Sequence, residues 1–238
     1  EGRTMLRVAI VGAGGIARRH VDAIGQIDTA RVTAVVDTDA SRAAALATGV
    51  GATAHATLEE CVDDVDVVHV LTPPSARRGV VEVAAQAGRD VVSEKPLAIS
   101  LKDGEAIVDA AEAADIKLMV AFNHRFRRGY SMVKEAVDSG DLGDVITVWS
   151  RRMGRGIPAG YNWRTDPDLM CGMSVESLSH DIDLIRWIAG DVVDVRATVH
   201  ASNPELPGFD DNAHVVMRLA NGGSAFIHAS WSSHLGSN

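Results

Sequence analysis

The sequence predicts an α/β protein in two parts. The first is a parallel sheet covered by helices on both faces, and the second an α/β unit on a mainly antiparallel open sheet. Three observations carry this. Short β-branched runs alternate with Ala-rich helical stretches as far as Phe122. Those runs are almost continuously apolar, as strands buried on both faces are. Beyond Phe122 the strand-like runs alternate in polarity and enclose Asn221-Gly222-Gly223, a hairpin signal with no counterpart earlier in the chain. The boundary is therefore placed between residues 1–122 and residues 123–238.

The elements follow in order. RVAIVGA, Arg7 to Ala13, reads as a buried strand and IARRHVDAIGQI as the helix after it. RVTAVVD, Arg31 to Asp37, is a second strand and ASRAAALATGV a second helix. VDVVHVLTPP is a strand stopped by Pro73 and Pro74, followed by a helix from about Ala76 to Ala87. DVVSEKP, the helix LKDGEAIVDAAEAAD and the strand KLMVAF complete the first part. The second part opens with helix MVKEAVDSG and strand DVITVWSRRM. A loop rich in Gly, Pro and aromatic residues runs from Gly154 to Gly172. One helix covering MSVESLSHDIDLIRW then ends at Gly190, and the strand VVDVRATVHAS and the strand pair NAHVVMRLANGGSAFIHASWSS, turning at Asn221-Gly222-Gly223, follow. On one continuous helix Glu176 and His180, four residues apart, share a face.

Composition narrows the function. With 46% hydrophobic and 23% charged residues the chain is ordinary globular protein. Its net charge of −9, with Lys and Arg scattered, argues against a nucleic acid or an anionic membrane as partner. No apolar run approaches the roughly 18 residues of a spanning helix. The start lacks a signal-peptide layout, and Glu1 to Thr4 read as residues added ahead of Met5. Cys61 and Cys171 are too few for a disulfide framework, so a reducing cytoplasm is expected. The sequence stops directly after a strand, an abrupt place to close a sheet, which suggests truncation.

VGAGGIA joins the first strand to the first helix, and Gly12, Gly14 and Ala17 match G-x-G-x-x-G/A. Gly12 permits the tight turn, Gly14 lets backbone approach a pyrophosphate, and Ala17 lets helix and strand pack closely. The helix N-terminus offers free N–H groups and the positive end of its dipole to an anion. Gly12, Gly14, Gly15 and Ile16 are the expected contacts. Asp37 ends the second strand about twenty residues on, where a carboxylate accepts from a ribose 2′-hydroxyl and repels a 2′-phosphate. NAD is therefore favoured over NADP, although Arg42 could fold back over a phosphate. A purely structural turn beside an exposed Asp is the alternative.

VGAGGIA, LTPPS, SEKPL and a helix carrying His180-Asp181-Ile182-Asp183 occur in that order. In these four pieces the chain resembles the Gfo/Idh/MocA oxidoreductase family, over nearly its whole length. The resemblance implies an N-terminal Rossmann domain and a C-terminal α/β domain whose open sheet often mediates oligomerisation, with the active site between them. It implies Thr72, Pro73 and Pro74 beside the nicotinamide, Glu94 on the nicotinamide ribose, Lys95 at the substrate, and Asn123 near the cofactor. It also makes Lys95-Pro96 a candidate cis bond. The chain departs from the family helix, Gly-Gly-Gly-x-Leu-x-Asp-x-Gly-x-His. Here Met170 and Cys171 replace two glycines, Glu176 replaces Asp, and Arg77 stands where His is frequent.

Hydride transfer from a secondary alcohol needs the carbinol hydrogen aimed at nicotinamide C4 and a base for the hydroxyl proton. His180 suits the base, because imidazole titrates near neutrality. Lys95 can stabilise charge on the same oxygen, and Glu176 can orient the imidazole or bind a hydroxyl. In the loop, Trp163 offers a face to a sugar ring and Arg164 a planar fork, with Asp183 a further substrate candidate. Arg125, Arg151 and Arg152 are similar candidates. His20, His55, His69, His124, His200, His214, His228 and His234 lack metal-ligand spacing and are read as structural, so no metal is expected.

The leading expectation is an NAD-dependent dehydrogenase for a sugar, cyclic polyol or related small molecule, assembled as a homo-oligomer (dimer or tetramer) through the second sheet. Two others stand beside it: an NAD-dependent glycosidase working by transient oxidation, and a non-catalytic nucleotide-binding sensor or scaffold.

Overall fold

A computed structural model describes residues 4–154, 163–166, 169 and 171–233. The chain divides into two compact units, Glu1–Ala121 and Phe122–Asn238. His234, Met170 and most of the Gly154 to Gly172 loop lie outside the described residues.

The first unit is a six-stranded parallel sheet of β1 (Leu6–Val11), β2 (Ala30–Val36), β3 (Thr53–His55), β4 (Val67–Val70), β5 (Asp90–Ser93) and β6 (Leu118–Val120). The strands lie in the order β3-β2-β1-β4-β5-β6. Four helices connect them: α1 (Ala17–Ile24), α2 (Ala40–Val50), α3 (Arg77–Gln86) and α4 (Leu101–Ala113). The apolar runs behave as expected of a doubly covered sheet. Val8 and Ile10 of β1 pack with Val21, Ile24, Ala43 and Ala47 from α1 and α2. Ala9 and Val11 turn the other way, toward Val81, Ala84 and Ile107 from α3 and α4. Two caps set helix starts. Asp39 accepts from Ser41 N and Arg42 N ahead of α2, and Ser100 accepts from Asp103 N ahead of α4. The strand β3 is not among the expected elements, because this three-residue edge strand has no apolar alternation to announce it.

The second unit is a four-stranded sheet in the order β7-β10-β9-β8, from β7 (Thr147–Met153), β8 (Val192–His200), β9 (Asn212–Leu219) and β10 (Ser224–Ser230). The β9–β10 hairpin and the β8–β9 pair are antiparallel, as expected, but β7 joins β10 in parallel. That pairing needs a long crossover, which the segment between β7 and β10 supplies. Inward residues Ala213, Val215, Met217, Ala225 and Ile227 pack with Met173, Leu178, Ile185 and Phe209.

The single helix expected over Met173 to Trp187 is two helices, α6 (Gly172–Glu176) and α7 (Ser179–Ala189), preceded in this unit by α5 (Arg128–Asp138). Met173 O accepts from both Ser177 N (2.8 Å) and Leu178 N (3.2 Å), and the regular ladder resumes only at Ile182 N→Leu178 O. Met173 and Leu178 are both fully buried, so the break lets each side of the joint plug the core. Glu176 and His180 therefore belong to different helices. Among the described residues no helix is long and apolar enough to cross a membrane.

Candidate active site residues in the two units

In the first unit the expected cofactor residues gather at the carboxyl ends of β1, β2, β4 and β5. The strand order reverses its direction of growth between β1 and β4, the place where open α/β sheets hold ligands. Gly12 leaves β1 with φ +101°, and a Cβ there would meet Leu71 C and Thr72 N at 3.0 Å. The turn can thus press against the end of β4 only as glycine. Gly14 and Gly15 face open space, where an added Cβ would meet no atom within 4 Å, and Ile16 precedes the first turn of α1. Open backbone at a helix start fits the volume and the charge of a pyrophosphate.

Asp37 is not the exposed residue that a structural alternative would have. Its Oδ2 accepts from Ala13 N (2.8 Å), and its Oδ1 accepts from Asp39 N (2.8 Å) and Arg42 Nη2 (3.0 Å). It ties the glycine turn to the end of β2. Arg42 lies over Asp37 and Asp39, so its charge is engaged by carboxylates in this arrangement.

Thr72, Pro73 and Pro74 follow β4, and Thr72 Oγ1 is buried with no hydrogen-bond partner among the described residues. Glu94 and Lys95 follow β5, with Lys95-Pro96 cis. Arg77, buried at the start of α3, pins this edge: Nε donates to Thr72 O (2.9 Å), and Nη1 donates to Glu94 O and Pro96 O. One guanidinium thus holds the loops after both strands, a role that no local pattern announces.

Two histidines expected to be merely structural also converge here. His20 on α1 meets His69 of β4, Nδ1 to Nδ1 at 3.1 Å, and meets Glu94 Oε1 through Nε2 at 3.2 Å. Burial pushes His69 down to about 4, with the His20 charge adding to it. Burial works to raise the Glu94 carboxyl. The His20 hydrogen bond and charge, with the Lys95 N–H and ammonium, outweigh it and hold the group below its ordinary range. The available signal is His69 itself, a polar residue inside the valine run VDVVHV that has to find a partner.

The second unit collects buried polar groups on and around α6 and α7. Glu176, His180, Asp181 and Asp183 are all buried. Arg164 Nε donates to Glu176 Oε1 (2.6 Å) while its guanidinium lies over the Trp163 ring at 4.3 Å. Asp183 accepts from Arg125 through both oxygens, the Nε contact at 2.9 Å, and Arg125 stands 5.7 Å over Trp187. Asp181, absent from the expected set, accepts from Ser150 Oγ and Arg152 Nε, each at 2.6 Å. Each of these three buried carboxylates is thereby matched to an arginine from another segment, which is how buried charge is tolerated.

His180 stacks on His124, centroids 4.1 Å apart and planes at 11°, with Phe122 edge-on at 6.1 Å. His124, read from spacing as structural, is buried on the one-turn helix Asn123–Phe126 with its ring stacked directly on that of His180. Asn123 stands exposed at the start of that turn. Among the described residues no group of three or more His, Cys, Asp or Glu could hold a metal ion. Neither cysteine is bridged, and Cys61 is buried beside acidic residues, its thiol pushed up to about 11.

Comparison with known proteins places this arrangement. Residues 6–122 match an oxidoreductase family with an NAD-binding Rossmann fold, and residues 130–238 match the GFO/IDH/MocA C-terminal domain. An inositol 2-dehydrogenase of Corynebacterium glutamicum is 31% identical over 224 residues, spanning 91% of this chain and 64% of the relative. A second, from Rhizobium meliloti, is 30% identical over 230 residues, spanning 93% and 68%. A D-apiose dehydrogenase of Rhizobium rhizogenes is 29% identical, spanning 98% and 68%. The crystal structure of the WlbA dehydrogenase from Bordetella pertussis in complex with NADH and UDP-GlcNAcA superposes with a TM-score of 0.90 at 26% identity. That match covers 99% of this chain and 70% of the other. The chain thus spans about two thirds of the length of the relatives it matches. With both parts of the sequence matched and identity of 30% to a relative it covers over 68%, the chain belongs to the Gfo/Idh/MocA oxidoreductase family.

Proposed function

We propose that the chain forms the cofactor and substrate machinery of an NAD-dependent dehydrogenase acting on a secondary alcohol of a sugar, cyclic polyol or related small molecule. The observation that carries this is the array at the β1/β4 switch. The glycine turn, the Asp37 carboxylate, Thr72 and the Glu94-Lys95 pair all stand at strand ends of one rigid sheet. Bound NAD supplies the hydride acceptor at nicotinamide C4. The chain supplies the rest. Open N–H groups at Gly14 and Gly15 take the pyrophosphate, and Asp37 and Glu94 accept from the two riboses. Lys95 donates to the reacting oxygen, and His180 takes the hydroxyl proton as the carbonyl forms. Arg164 fixes Glu176, which meets a neighbouring hydroxyl, and Trp163 presents a face to the ring carbons.

Relatives named for inositol and apiose, and a similar dehydrogenase in complex with UDP-GlcNAcA, support a polyhydroxylated ring without choosing among such rings. We also propose a homo-oligomer through the outer face of the second sheet. There Trp149, Phe226 and Val216 lie in one cross-strand row, 69%, 38% and 47% exposed. Polyols, sugars and their acids should be screened for NADH absorbance with wild-type and Lys95→Ala protein. NADH production by the wild type that the variant loses is the expected result. Equal production by both removes Lys95 from the chemistry.

A further inference from the structure

Three side chains from three elements of the first unit form a hydrogen-bonded line: His69 on β4, His20 on α1, and Glu94 after β5. None is near another in sequence. The proton count along this line is constrained. An ionised Glu94 carboxylate only accepts, so His20 Nε2 carries a proton in either charge state of the ring. A neutral His20 therefore offers a lone pair at Nδ1, and His69 Nδ1 must donate to it. A charged His20 carries a proton at Nδ1, so His69 must accept there and hold its own proton on Nε2. His69 remains neutral while it serves both cases, because it is held down to about 4. The second oxygen of Glu94 accepts from Lys95 N at 3.0 Å. The carboxylate is thus gripped from both sides, yet a carboxylate has about four acceptor positions and these contacts take two.

We infer that His20 is a positioning residue for the nicotinamide ribose, and that its charge state grades the binding of oxidised against reduced dinucleotide. This rests on the proposed NAD reading. The physical reason is a sum of charges. With His20 neutral, the Glu94 carboxylate and the Lys95 ammonium offset one another. With His20 charged, the cluster gains a positive charge, which weakens binding of the cationic nicotinamide of NAD relative to the neutral ring of NADH. The groups facing His20 are His69 from β4 and Glu94 from the end of β5, with the Lys95 ammonium acting on Glu94. On its own helix Arg18 pairs outward with Asp22. Arg77 holds the Glu94 carbonyl, so it fixes the backbone while His20 fixes the side chain.

The test is a titration of NAD and of NADH, followed by tryptophan quenching, from about pH 5.5 to about pH 8.5. The ratio Kd(NAD)/Kd(NADH) of the wild type should rise ~3- to 10-fold as pH falls across that range. His20→Gln keeps an N–H near the Nε2 position but cannot take a charge, so its ratio should lose most of the wild-type slope. His69→Leu, which leaves α1 untouched, should shift the midpoint of the wild-type profile. A flat wild-type ratio, or a His20→Gln profile that keeps the wild-type slope, overturns the inference. ¹⁵N histidine shifts of the unliganded protein judge the line separately. The His69 proton should move from Nδ1 to Nε2 as His20 charges, and a His69 fixed on one nitrogen overturns it. A wild type that shows this exchange but binds neither nucleotide overturns the NAD reading, and the ribose role of His20 falls with it.

Discussion

In the proposed reading, removal of Lys95, His180 or Asp37 separates chemistry from binding. Lys95→Ala should lower kcat about a hundred- to ten-thousand-fold while leaving the Kd of NAD within a few-fold, because in the proposed reaction its ammonium acts on charge that develops only in the transition state. Single-turnover kinetics with a nucleotide titration checks both numbers. Asp37→Ala should behave the opposite way. It removes an acceptor and the anchor of Ala13 N, and it releases Arg42 from the pair it now makes. NAD affinity should fall roughly ten-fold, and the NAD-over-NADP preference should shrink, since a released Arg42 can meet a 2′-phosphate. An unchanged preference would mean that Asp37 only braces the turn. The candidate positions are legible in sequence because the motifs that carry them are local: each is a short string with its own backbone demand. The partners of the same residues are not. His20 stands 49 positions from His69 and 74 from Glu94, and the carbonyls that Arg77 holds come from two different loops.

Elements show where periodicity helps and where it misleads. The apolar period runs without a phase change from Val175 through Ile185, so nothing in it reveals the joint between α6 and α7. Nor does it reveal the start of α6, which is fixed by tertiary contacts. Gly172 has φ +69°, and Met173 N and Ser174 N donate to Asp210 O and Oδ2, at 2.9 and 2.7 Å. A Cβ on Gly172 would lie 1.6 Å from Asp210 Oδ1. Gly172→Ala should therefore expel Asp210 from this cap and strain the backbone, lowering stability by about 2 kcal/mol or more in urea unfolding. A change under about 0.5 kcal/mol would show that the loop yields freely. In the first sheet, His69 makes stability depend on pH. Its folded pKa is depressed to about 4 against an unfolded value near 6.5, so the unfolded chain binds more protons between those limits. The contribution is fully present above about pH 6.5 and is lost as pH falls toward about 4. His69→Gln should flatten that part of the stability profile, as read by thermal melts across the window.

At the scale of the whole molecule, the α/β class, the parallel first sheet and the mainly antiparallel second sheet follow from composition and alternation along the chain. The parallel entry of β7 does not, because pairing between strands separated by some seventy residues leaves no local trace. The outer row of Trp149, Phe226 and Val216 is a large apolar surface to leave in water. Phe226→Asp should convert the proposed oligomer toward monomer in sedimentation while sparing NAD affinity, and an unchanged sedimentation coefficient would place any interface elsewhere. The most direct test of the proposed dehydrogenase is a crystal structure of this protein with NADH and a polyol analogue. The expected result has the pyrophosphate on the Gly14–Gly15 N–H groups, and the Lys95 ammonium and His180 imidazole both within about 3.5 Å of one hydroxyl that faces nicotinamide C4. A nucleotide bound away from the glycine turn, or a hydroxyl approached by neither group, would contradict it.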